Sequence, residues 1–203
     1  MKQAIYGLII YIFLMLPPVI SISESIMILH MHVQMPLLII VGMLFTPFLQ
    51  ERFPNFFAKW NENGIPGLLL FFIILSYWMV PRAMDEAITS IPVEIFKFIS
   101  FPFLAGVPLR DSWRKLTPFV KKIFYVAISL LFGLMAWVYI AAPTQLCNNY
   151  LIAEQKALGW TFLVMALVAL ASILNLATRF HLINRPFFSL YHEKQLLYFA
   201  QPF

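Results

Sequence analysis

The chain has 203 residues, 62% of them hydrophobic and 11% charged, with a formal net charge of +5 and a mean hydropathy of +0.83. A soluble domain carries about 25% charged residues to face water, so most of this surface must face lipid. The single cysteine, Cys147, excludes an internal disulfide and any metal site built from several thiolates of one chain.

About 20 apolar residues in a helix cross the hydrocarbon of a bilayer. By that measure spans are expected at roughly 4–20, 26–49, 65–80, 88–108, 123–142 and 157–177. The first ends at Pro17-Pro18. It also reads as a signal peptide, with Val19-Ile20-Ser21 as a cleavage site. The second carries Pro36 and Pro47 and is expected to bend. The third is short. The fourth is interrupted by Glu94, Lys97, Pro102 and Pro108, whereas the fifth and sixth are uninterrupted. The expected fold is therefore all-α: a polytopic transmembrane helix bundle of about six spans over residues 1–178. A cytoplasmic tail at 179–203 mixes Arg185, His192 and Lys194 with aromatic residues, a pattern that suits either an amphipathic segment along the inner membrane surface or a partly ordered tail.

Every Lys and Arg except Arg82, Lys97 and Lys156 falls before span one, between spans two and three, between four and five, or after six. The positive-inside rule places both termini in the cytoplasm. It also accounts for the basic pI without a nucleic-acid partner; the expected surroundings are the bilayer itself. Short loops suit a bacterial inner (cytoplasmic) membrane.

With this orientation the unusual polar residues gather at the outer face. Glu24 precedes span two, and Met27, His30, Met31 and Gln34 recur at helical spacing on one stripe of it. His32 lies about 200° around from His30 on an α-helix and groups with Met35. A straight helix cannot aim both imidazoles at one ion. Imidazole with thioether is the donor set that suits Cu(I), and the Cys147 thiolate would add to it. The same residues also serve as gap-fillers and interhelical hydrogen-bond donors. Arg82 and Asp85 stand three apart after span three, where an ion pair is expected. Asn149 and Gln155 in the loop after span five are expected to brace it or to meet a partner. Glu94 and Lys97 are close enough to neutralise each other.

Three of these segments, in this order, resemble the CtaG family of membrane proteins that help assemble the copper centre of cytochrome c oxidase. The first is His30-Met31-His32-Val33-Gln34-Met35 followed by Leu37-Leu38; the second is Pro81, Asp85 and Ala87; the third is Glu154-Gln155 leading to Gly159-Trp160. Gln34 stands where the family repeats His, and Val93-Glu94 stand where it has a further His. The resemblance implies copper handling at the outer face, with oxidase subunits or a copper chaperone as partners. His30, Met27 and Met31 are the expected ligands, with His32, Met35 and Cys147 as additions and Glu24 and Gln34 supporting them.

A metal-free structural or interaction subunit, docking through Arg82 and Asp85, is the alternative reading. Bis-His haem ligation is disfavoured, because His30 and His32 lie outside and His181 and His192 inside. No catalytic constellation is visible, so an enzyme is not expected.

Overall fold

The computed structural model describes residues 2–174. The expected tail at 179–203 and the last residues of the sixth expected span lie outside them. Among the described residues the fold is all-α, without a strand.

Proline punctuates the helix starts, where its missing N–H costs nothing. Helix α1 is Lys2–Leu14 and α2 is Pro17–Glu24. Helix α3 is Met27–Arg52, α4 is Pro54–Trp60, α5 is Ile65–Met79 and α6 is Pro81–Thr89. Helix α7 is Ile91–Trp113, α8 is Pro118–Ala141 and α9 is Ile152–Leu174. Pro17, Pro54, Pro66, Pro81, Pro92 and Pro118 stand in the first two positions of six of these helices.

Among the described residues, helices α3, α7, α8 and α9 are each long and apolar enough to span a membrane, and the count rises to as many as six if each of the bent pairs α1/α2 and α4/α5 is one span. The chain is thus a multi-pass membrane helix bundle. The expected first span does not run straight from 4 to 20. Leu16 is held extended by Pro17 (φ −67°, ψ 130°), and α2 leaves α1 at 71°. Gly64, at φ 77°, takes the left-handed conformation that turns α4 into α5 at 85°.

The fourth expected span also differs. Residues 81–89 form the separate helix α6, and α7 starts at Ile91 but continues to Trp113, past both internal prolines. A π-helical segment, Ser100–Gly106, takes up Pro102. The Phe98 carbonyl, which Pro102 cannot bond in α register, accepts the Tyr11 hydroxyl at 3.0 Å. Pro47 in α3 is handled in the same way, since the Met43 carbonyl four residues earlier accepts from Arg110 Nη1. Two side chains from neighbouring helices therefore satisfy backbone groups that proline leaves open in the membrane.

The core lies among α3, α5 and α7, with Leu38, Val41, Phe71, Trp78 and Phe101 buried. At its centre the backbones of α3 and α7 touch. A Cβ on Gly42 would overlap the Pro102 carbonyl, and one on Gly106 would overlap the Ile39 carbonyl. Small residues at such crossings let membrane helices approach closely.

Polar networks cap both ends. At the basic end Asp111, almost wholly buried, accepts from Gln50 Nε2, Asn61 Nδ2 and Lys115 Nζ. Asn61 Oδ1 in turn accepts the Gly67 N–H at 2.9 Å. The other end carries the candidate site.

Candidate functional site

The second expected span begins in a π-helical turn, His30–Gln34, inside α3. Such turns occur mostly as single insertions and often at functional sites. Met27, His30, Met31, Gln34 and Met35 are all buried, and His32 is half-buried. The two histidines face different neighbours. His32 Nε2 lies 3.3 Å from Thr161 Oγ1 on α9, with its ring 4.7 Å from that of Phe162. His30 turns toward the loop between α8 and α9, where its Nδ1 is 2.9 Å from the Tyr150 hydroxyl.

The hydrogen bonds around Tyr150 assign the tautomer of His30. The Tyr150 hydroxyl lies 2.9 Å from the Glu24 carbonyl oxygen at the end of α2, and a carbonyl can only accept. The single phenolic proton is committed there. His30 Nδ1 therefore carries its own proton and donates to Tyr150, which leaves Nε2 as a bare lone pair. That Nε2 is buried and has no hydrogen-bond partner. Burial first and the Glu24 charge second push the Tyr150 phenol up, so it stays a donor at any physiological pH.

Around this pair runs a second chain of contacts. Lys97 of α7, wholly buried, forms an ion pair with Glu24, and its Nζ also approaches Gln34 Oε1 at 3.4 Å. The ion pair of Lys97 is with Glu24 rather than with Glu94, although the Glu94 charge three residues away still acts on the ammonium. Trp78 Nε1 donates to Ser100 Oγ at 2.9 Å one turn further along α7. Besides His30 Nε2, the buried polar atoms without a partner among the described residues are His32 Nδ1, Gln34 Nε2 and the Tyr139 hydroxyl. Buried polar groups are nearly always bonded, so such a group points to an occupant or a polar function.

The loop is braced from two sides. Asp85 Oδ2 accepts the Asn148 N–H at 2.7 Å, and its Oδ1 accepts from Asn149 Nδ2 at 3.3 Å. Asp85 is thereby committed, and the expected Arg82–Asp85 ion pair is not formed. Arg82 Nε instead meets Glu86 Oε1 at 2.9 Å, one helical turn away and exposed, where such a pair contributes little. Gln155, buried on α9, accepts the Leu146 N–H at 2.8 Å and reaches the Tyr139 carbonyl at 3.4 Å.

Cys147 is buried, with Sγ 3.8 Å from the Pro81 carbonyl oxygen. Burial first and the nearby Asp85 charge second push its thiol up to about 12. It stays protonated at neutral pH and is a poor nucleophile. Among the described residues no group of three or more His, Cys, Asp or Glu is arranged to hold a metal ion.

The site thus joins four elements of an all-α multi-pass membrane protein: the end of α2, the π turn of α3, Lys97 of α7 and the loop before α9. Comparison with family models, with curated proteins and with solved structures gives no match for this chain. Sequence reasoning gathered His30, Gln34, Glu24, Asp85 and the Cys147 loop, but it matched Lys97 with Glu94 rather than with Glu24 and gave Tyr150 no role. Lys97 had a usable signal, since a lone cation in an apolar span requires a partner. Tyr150 had none beyond its place in the loop.

Proposed function

We propose that this chain holds Cu(I) as cargo at the outer face of a bacterial inner membrane, for assembly of the copper centre of cytochrome c oxidase. The carrying observation is the His30 ring: Nδ1 is fixed by Tyr150, and Nε2 is left unprotonated, buried and unpartnered. A ligating histidine characteristically donates its other ring N–H to an oxygen, which sets the tautomer and aims the lone pair. Met27 and Met31 are buried and stand within one turn of His30 on the same helix, so their thioethers would complete a donor set suited to Cu(I). His32, whose ring is turned toward Thr161 and Phe162 of α9 and whose own Nδ1 also lacks a partner, and Cys147, with its thiol protonated, are left out of this set. Met35 is a reserve thioether one turn further on. The oxidase as destination rests on the resemblance of the three segments, and the partner is accordingly an oxidase subunit or a copper chaperone meeting the Asp85–Asn149 loop.

The test is Cu(I) retention by purified protein under reducing conditions. Wild type is expected to retain about one Cu(I) per chain, and His30→Ala close to none. Tyr150→Phe, which removes the hydroxyl that orients His30, is expected to weaken binding about 10- to 100-fold. Negligible copper on wild type, or full retention by His30→Ala, would remove the proposal.

A metal-free interaction subunit is the second reading. It is favoured by the Lys97 ammonium in the same network, since a cation beside the His30 ring disfavours a second cation there. It expects the Asp85 loop to matter for partner recovery while copper is irrelevant.

A further inference from the structure

At the basic end of the bundle, opposite the His30 site, two hollows adjoin. One is an apolar groove of about 380 Å³ between α1, α3 and α7, lined by Ile5, Leu8, Phe45, Phe48 and Phe103 among others. The second, of about 460 Å³, is lined by Lys2, Gln3, Pro47, Arg110 and Arg114. Ala4 and Phe48 line both, so the groove opens into the basic hollow. Ile5, Leu8 and Phe48 are about half exposed, which in a bilayer places the groove against the acyl chains.

The basic residues here are not neutralised. The ion pairs among the described residues are Arg82–Glu86, Lys97–Glu24 and Lys115–Asp111, none of which includes Lys2, Arg110 or Arg114. Arg110 is fixed in place by its bonds to the Met43 carbonyl and to Gln3 Oε1 (2.9 Å), so its guanidinium is presented in a set position. Arg114 lies one turn beyond it and is exposed.

We propose that this composite hollow is a binding site for an anionic glycerophospholipid. Its phosphate would be met by Arg110, Arg114 and Lys2, and one acyl chain would lie in the groove beside Phe103. The occupant follows from the chemistry. An acidic peptide or free anion would meet the cations but not the membrane-embedded groove, and a zwitterionic lipid would fill the groove but leave the positive charge uncompensated. Basic pockets between helices at this membrane face recognise anionic headgroups. The site is independent of the copper reading.

The test is native mass spectrometry of the full chain in detergent, titrated with phosphatidylglycerol or with phosphatidylcholine of the same acyl chains. Wild type is expected to retain phosphatidylglycerol preferentially. Removing one charge, in Lys2→Gln or Arg114→Gln, is expected to cut that preference about fivefold, and the double variant to cut it further. Leu8→Trp, which fills the groove, is expected to weaken both lipids alike, and millimolar inorganic phosphate is expected to displace neither. Equal retention of the two lipids by wild type, an undiminished preference in the double variant, unaltered binding by Leu8→Trp, or displacement by phosphate would each overturn the proposal.

Discussion

Glu24→Gln is expected to destabilise the bundle by about 3–5 kcal/mol, the cost of leaving a buried charge without its partner. Lys97 has no exposed surface, whereas the Glu24 side chain keeps 11% exposure at the rim. The effect should therefore be asymmetric. With Glu24 neutralised, the ammonium is left in the interior with Gln34 Oε1 as a weak neutral acceptor at 3.4 Å. With Lys97→Met, Glu24 can still recruit water at the surface, and the loss should be smaller. The double variant removes both charges and should recover most of the stability, because no buried charge is then left without its partner. Thermal unfolding of all three variants in detergent, treated as a double-mutant cycle, measures the coupling directly. Additive losses would mean that the two side chains do not meet.

The second large effect is expected at the crossing of α3 and α7. Gly106→Ala would drive a methyl group into the Ile39 carbonyl, with the Gly42 Cα only 2.9 Å from it. Both neighbours are backbone, so neither can rotate away. Alanine improves helix propensity by about 1 kcal/mol over glycine, but overpacking of this kind costs about 3 kcal/mol. The clash should win. Gly133→Ala is the control, since nothing lies within 4 Å of its added Cβ. It should unfold at the same temperature as wild type or slightly higher, while Gly106→Ala unfolds well below. Equal behaviour of the two would contradict the close approach of α3 and α7.

The positions of the apolar helices were legible in the sequence because a membrane imposes a length and a composition on each span. Helix α5 matches its expected range to one residue, and α3, α8 and α9 lie where long apolar runs required them. What was not legible depended on partners distant in the chain. Pro102 and Pro108 interrupt the fourth span as read along the chain, but a π turn, together with the Tyr11 hydroxyl bonded to the Phe98 carbonyl 87 residues away, accommodates Pro102. Spacing offers Lys97 a partner three residues off in Glu94, yet its ion pair is with Glu24, 73 positions away. Spacing along one helix cannot anticipate such choices.

The candidate site shows the same division. That the Met-His stripe and the Cys147 loop would gather at one end followed from topology and charge. That His30 would present Nε2 rather than Nδ1 to the interior followed only from Tyr150, whose proton is claimed by a carbonyl at the end of α2. Asp85 illustrates the local limit: its loop contacts outcompete an ion pair with Arg82, and Glu86 takes the arginine instead.

The central claim is that His30 offers a bare, aimed nitrogen among thioethers. X-ray absorption at the copper edge on Cu(I)-loaded wild-type protein tests it most directly. The copper is predicted to have one imidazole nitrogen and two thioether sulfurs as neighbours, with the imidazole signal lost in His30→Ala. A spectrum without an imidazole contribution, or one that the His30 substitution leaves unchanged, would contradict the account.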